Sequence, residues 1–263
     1  MIISQTKMFR VAGLLLLFFA FTSITAKAVA SSGYYYQIKI YHFKDKAQEQ
    51  ATDAYLKDYY LPQLHKMGMA NIGVFKPADT DTARRTYVFV PFKNWKQLEG
   101  FERKVIDAGD GAATAKDYLD AGYKSAPYTR LETIVLTAFA TRLFPVAPKL
   151  TGDRAARVYE LRSYESPTEK YHINKVKMFN SGETDLFDRI GSNAVFYGSV
   201  VAGSHMPNLM YMTCYDNMAD RDKHWQAFSA APDWKALIAD PQYSNNVSKN
   251  EIVFLHPTEY SDF

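Results

Sequence analysis

The sequence predicts an α+β fold, with two tandem βαββαβ modules packed sheet to sheet as an intrachain, pseudo-dimeric α+β barrel. Three observations carry this. A strand-like motif, Tyr36-Gln37-Ile38-Lys39-Ile40-Tyr41, returns as Tyr159-Glu160-Leu161-Arg162-Ser163-Tyr164. The elements that follow each copy keep the same order at an offset of about 120 residues. Several strands are also apolar at both parities, with Tyr197 and Val201 on one side and Phe196 and Val200 on the other, so both sheet faces need cover.

In chain order, residues 1–30 read as a signal peptide. Lys7 and Arg10 precede an apolar run from Val11 to Phe21, and Ala26-Lys27-Ala28 supplies small residues at cleavage spacing. The run is shorter than the roughly 20 residues of a membrane-spanning helix. An exported protein, periplasmic or secreted, is expected, without stable membrane insertion after cleavage. The first module takes residues 31–144. Its strands are expected near Tyr36–Tyr41, Asn71–Lys76, Arg85–Phe92 and Arg130–Thr137, with Asn94 capping the helix after the third. The Tyr55–Tyr60 stretch belongs to a buried helix bent at Pro62, and Gly109–Lys124 to a surface loop with one helical turn. Pro145, Pro148 and Gly152 mark a linker at 145–154. The second module takes 155–263. Its strands are Tyr159–Tyr164, Val195–Val201, Leu209–Tyr215 and Glu251–His256, and Asn217 caps a helix over Met218–Ala230. An antiparallel sheet with both helices on one face leaves the other face bare, and a second sheet covers it.

Composition narrows the functional classes. The formal net charge of +3 resides in Lys7, Arg10 and Lys27, so the chain beyond the leader is close to neutral and has no basic patch for nucleic acid. With Cys214 as the one cysteine, no internal disulfide forms and the core alone must hold the fold. The six histidines form no helical i,i+4 pair, and no phosphate-binding glycine loop, serine elbow or catalytic carboxylate pair is present. No metal or other cofactor is expected.

Candidate ligand-binding residues concentrate in the second module. Met218, Arg221, Asp222, Trp225, Phe228 and Ser229 share one helical face, which sets Arg221 in an apolar stripe. Its stem can pack on Trp225 with the guanidinium reaching water or Asp222, or the guanidinium can enter a sheet–helix cavity and hold an anionic oxygen. The repeat places Leu98 opposite Arg221, an asymmetry that favours one pocket, in the second half. Glu160, Arg162 and Tyr164 alternate onto one strand face. Glu160 and Arg162 can pair across strands and lock the sheets together, or Arg162 and Tyr164 can donate to a ligand. Tyr197 and Tyr211, on neighbouring strands, suit either sheet packing or binding.

The second half resembles the NIPSNAP family, a branch of the dimeric α+β-barrel superfamily with ferredoxin-like modules. The residues that carry the resemblance are Arg157–Tyr164, Phe196-Tyr197-Gly198, Pro207–Met212, Arg221-Asp222-Lys223-His224-Trp225, Pro232-Asp233-Trp234-Lys235 and Phe254–Thr258. The first half resembles the same fold but lacks the Arg-Asp-x-x-Trp helix and the Pro-Asp-Trp-Lys turn. The resemblance implies a cavity between sheet and helices of the kind used by cofactor-independent monooxygenases, isomerases and haem-handling enzymes, and it transfers no catalytic residues. The expected function is therefore binding of a small, largely apolar molecule, with cofactor-free turnover as an extension of it. The alternative is a scaffold protein with a filled barrel. The sequence leaves open a monomer or a homo-oligomer.

Overall fold

Eight strands and nine α-helices form among residues 33–78 and 83–263, the residues that the computed structural model describes. The leader expected at 1–30 lies outside them. The first half runs β1 (Tyr35–His42), α1 (Lys46–Tyr55), a π-helical turn (Leu56–Tyr60), α2 (Leu61–Lys66), β2 (Gly73–Pro77) and β3 (Arg85–Phe92). It continues with α3 (Trp95–Leu98), α4 (Phe101–Ala108), α5 (Ala113–Leu119) and β4 (Arg130–Ala138). The second half repeats the pattern with β5 (Val158–Glu165), α6 (Glu169–Met178), a π-helical turn (Phe179–Glu183), α7 (Thr184–Arg189) and β6 (Asn193–Ala202). It ends with β7 (Asn208–Tyr215), α8 (Met218–Ala230), α9 (Pro232–Ala239) and β8 (Lys249–Pro257).

The repeat is tighter than the sequence comparison alone shows. Tyr35 and Val158, Arg85 and Asn208, and Asn94 and Asn217 each stand 123 residues apart. Both asparagines cap helices as expected: Asn94 Oδ1 accepts from the Gln97 amide and Asn217 Oδ1 from the Asp220 amide, each at 2.9 Å. The two π turns also correspond. Each rotates aromatic or charged side chains inward, burying Tyr59 and Tyr60 in one copy and Phe179 and Glu183 in the other. Pro62 directly follows the π-helical turn, as the second residue of α2, and the helical run continues through it to Lys66. The 109–124 segment is more ordered than its composition suggests. α5 spans seven residues there and buries Ala115 completely against the first-half core.

Each half has the antiparallel strand order β4-β1-β3-β2 or its counterpart β8-β5-β7-β6. Their edges pair. β2 joins β8 through Phe75, Lys76 and Pro77, and β4 joins β6 over Val135–Ala138, so the eight strands close into one barrel. Closure removes the unpaired edges that an open sheet presents. Gly198 belongs to the second seam because a side chain there would meet Leu136 Cβ at 3.0 Å.

Alternation along the strands then separates three apolar layers. Barrel-facing residues include Tyr36, Ile38, Phe89, Ile134, Tyr159, Leu161, Phe196 and Met212. Phe89 stacks on Phe196 with centroids 4.9 Å apart, and the C-terminal Phe263 packs beside Phe75. A first outer layer lies under α1, α2, α4 and α5, and a second under α6 to α8. Cys214 faces the barrel core, and burial pushes its thiol well up, which leaves it unreactive. The connection between β4 and β5 is held by Asp216, whose carboxylate accepts from the amides of Thr151 and Gly152 at 2.9 and 2.8 Å.

Because one chain supplies both sheets, folding should not depend on association. The thermal midpoint is expected to stay constant over a hundredfold dilution, measured by differential scanning fluorimetry beside sedimentation at the same concentrations. A midpoint that falls with dilution would show that a second copy completes the fold.

Candidate functional site

The six residues singled out in the second module come together on the outer, helix-facing side of its sheet, and the space between them is filled by protein. Glu160 is the centre. It lies at zero exposure under α8. Arg162 Nε donates to its Oε1 at 2.6 Å, and Arg221 donates from Nε at 2.8 Å to Oε2 and from Nη2 at 3.0 Å to Oε1. Trp225 Nε1 adds a further bond to Oε2 at 2.8 Å. Two guanidinium groups and an indole thus satisfy one carboxylate, the condition under which a buried charge is tolerated. Arg162 also stacks on Trp225, its Cζ 3.7 Å from the ring centroid.

From Arg162 the network continues outward. Its Nη1 donates to Tyr164 Oη at 2.9 Å, and that hydroxyl lies 2.9 Å from Tyr211 Oη. Tyr197 stands outside the hydrogen-bonded chain but stacks on Tyr211, centroids 5.6 Å apart, within a cluster that includes Phe139, Phe179 and Phe187. Burial holds the Tyr197 and Tyr211 phenols far above their ordinary range, so both stay neutral. Beside them the buried pair Lys175–Glu183 closes at 3.0 Å, where desolvation drives the Glu183 carboxyl upward.

This geometry corrects two expectations. Glu160 and Arg162 do not bridge the two sheets: they are neighbours on one strand face, and they bind that sheet to α8. Arg221 does reach Asp222, at 3.0 Å, but it is the guanidinium that lies over Trp225, its Cζ 5.4 Å from the ring centroid, and most of its hydrogen bonding goes to Glu160. The asymmetry with Leu98 marks a plugged site rather than an open one.

The opening lies in the first half, at the place the repeat makes equivalent. Gln37, Lys39 and Tyr41 correspond to Glu160, Arg162 and Tyr164, and Glu102 of α4 corresponds to Trp225. Here a groove of about 350 Å³ separates the sheet from α4 and α5. Lys39, almost fully buried, pairs with Glu102 at 2.8 and 2.9 Å at its inner end, and Glu102 remains half exposed. The walls are aromatic. Tyr55 and Tyr118 stack with centroids 3.8 Å apart, and Tyr128 packs edge-on to Tyr41 at 5.6 Å. Ile106, Leu119 and Leu131 complete the lining. Burial above all raises Tyr41, Tyr55 and Tyr118 well above the usual phenol range, against an opposing hydrogen bond from Tyr118 at Tyr41. The nearby phenols and Glu102 add to it, so all three stay neutral. The Tyr55–Tyr60 stretch, expected from sequence to be core, does join the core, and Tyr55 also walls the groove. The signal that was available was Lys39, a lysine at an outward-facing strand position that the repeat places opposite Arg162.

The histidines are dispersed among separate partners. His65 meets Asp262 at 3.1 Å, His172 meets Ser199 at 2.7 Å, and His256 meets the Arg157 carbonyl at 2.8 Å. No helix among the described residues is long and apolar enough to cross a membrane.

Residues 159–262 match the NIPSNAP family model. The second half of the chain is a NIPSNAP domain. The whole barrel is similar to a candidate monooxygenase from Lactobacillus acidophilus NCFM, with a TM-score of 0.56 and 14% identity over 86% of this chain and 94% of that one. A second candidate monooxygenase, from Fusobacterium nucleatum subsp. nucleatum ATCC 25586, gives 0.55 and 10% identity over 86% and 93%. An anthrone oxidase-like protein gives 0.50 and 9% identity over 87% and 93%. At these identities the likeness is one of fold. No curated protein was found to match. The NIPSNAP domain therefore carries the filled site, and the preceding module carries the groove.

Glu160 should be the costliest polar side chain to replace in the NIPSNAP domain. Glu160→Gln removes the charge that two guanidinium groups share, and a loss of about 3–5 kcal/mol is expected from equilibrium urea unfolding. Glu102→Gln, which faces solvent, should cost well under half as much in the same measurement.

Proposed function

We propose that this is an exported small-molecule binding protein whose site is the sheet–helix groove of its first module. One observation carries the reading: equivalent positions of the two copies are closed around Glu160 in one and open beside Lys39 in the other. The open groove has the size and lining of a ligand site, a few hundred Å³ walled by aromatic faces with a few convergent polar groups. The fitting compound is a flat, largely apolar ring system with one anionic oxygen. Its rings would lie among Tyr55, Tyr118 and Tyr128, and its oxygen would take the Lys39 ammonium in place of Glu102. Glu102 can leave because it is half exposed and regains water when displaced. In this reading the NIPSNAP domain is the structural half, its sheet–helix site closed around Glu160.

Calorimetric titration with 2-naphthoate tests the proposal. Lys39→Met should weaken binding at least tenfold, and Glu102→Gln, which frees the ammonium of its anionic partner, should tighten it several-fold. Arg221→Lys, on the filled side, should leave it unchanged. Saturable binding that ignores Lys39, or no binding to naphthoate and its hydroxylated relatives, would overturn the reading. The candidate monooxygenases that share the fold motivate one extension: oxygen uptake followed with the same compounds.

A further inference from the structure

The barrel interior is packed unevenly along its axis. At one end Phe75, Phe89, Phe196 and Phe263 fill it. Towards the other end the inner layers thin and leave a cavity of about 170 Å³. Its apolar floor is made by Ile40, Tyr87, Ile134, Leu161, Met210 and Val253. Strand alternation separates it from the groove: Ile40 and His42 face the barrel, while Lys39 and Tyr41 face the helices.

A built hydrogen-bonding group stands at the rim. His42 Nε2 lies 2.7 Å from Glu132 Oε1, and Ser204 Oγ donates to Glu132 Oε2 at 3.1 Å. The histidine bond and the Ser204 bond, helped by the charge of Arg130, hold the Glu132 carboxyl below its usual range despite the opposing effect of burial. The bond to Glu132 fixes the imidazole in orientation, and a neutral ring that donates Nε2–H to the carboxylate presents Nδ1 as an acceptor. Ser163 and Asn208 bond each other at 2.8 and 3.1 Å close by. Among the described residues around the mouth, Arg130 lies beside Glu132, and Lys249 and His205 beside Glu165, so these charges are paired with one another.

We propose that this mouth is a second ligand site, for a neutral single-ring or short-chain compound whose one hydroxyl donates to the His42–Glu132 pair. Size sets the limit, since an apolar cavity of about 150 Å³ takes up benzene. The apolar floor takes the ring, and His42 selects the hydroxyl.

Met210 supplies a local reporter. The full chain, labelled at its methionine methyl groups with carbon-13, is titrated with phenol and with benzene. Both should shift the Met210 methyl, phenol with about fivefold lower Kd, the effect of one good hydrogen bond. In His42→Phe the two constants should converge within about twofold. If that variant does not fold, Glu132→Gln, of equal volume, reads the same preference. Lys39→Met should leave the Met210 shifts intact, so failure of the groove reading and failure of this one are distinguishable. A Met210 signal unmoved by either compound, or a phenol preference that survives in the His42 or Glu132 variant, would overturn the proposal.

Discussion

Closure of the sheet is the constraint on which every other feature rests. Each four-stranded half presents an apolar face that no helix covers, and each ends in edges that would pair with another chain. The two seams, β2 with β8 and β4 with β6, remove both liabilities together. They are short, and the second requires Gly198 to let Leu136 approach. Because each seam joins the second strand of one half to the fourth of the other, closure is nearly two-fold symmetric. Once the barrel is closed, strand alternation dictates what remains: one parity enters the common core, and the other must be covered by the helices of its own half.

The repeated motif Tyr-polar-aliphatic-basic-x-Tyr is easiest to understand from this position. Its aliphatic residues, Ile38 and Leu161, are barrel residues. Its polar residues point out beneath helices, where a charge survives only with partners. Arg162 obtains them from Glu160 and Trp225, and Lys39 from Glu102. The motif therefore places a cation under the helical layer of each module, and the helix opposite decides what surrounds it. A tryptophan at position 225 fills the space and stacks on the guanidinium; a glutamate at the equivalent 102 pairs with the ammonium and leaves room beside it.

Much of the fold was legible because it is written in local patterns. Arg85–Phe92 and Met218–Ala230 coincide with their elements, and Asn94 and Asn217 announce helix starts by side-chain chemistry that acts over three residues. The site was legible in part. Arg162, Tyr164, Tyr197, Tyr211, Arg221 and Trp225 do form one cluster, because period-two strands and a 3.6-residue helix fix which side chains share a face. That the cluster is closed was not legible, since it depends on Glu160 accepting from three donors that lie up to 65 residues away. The barrel mouth was equally hidden. His42, Glu132 and Ser204 become neighbours only through the register of β1 on β4 and the approach of the β6–β7 turn.

The divergence of the two modules has a physical direction. A buried ion pair contributes little net stability over an apolar replacement, but removing one partner is costly. The NIPSNAP domain meets this by saturating Glu160 with donors from both sheet and helix, which rigidifies that half and leaves no polar atom of the carboxylate for a ligand. The first module meets it with Glu102, the one carboxylate paired with Lys39 among the described residues, which is half in water and therefore cheap to exchange. A lysine whose counter-ion can be exchanged is a better ligand contact than a saturated arginine, because the ligand replaces one salt bridge by another and loses little desolvation energy. The same strand position thus holds, in the first module, a cation whose partner is half exposed, and in the second a cation locked into a buried network.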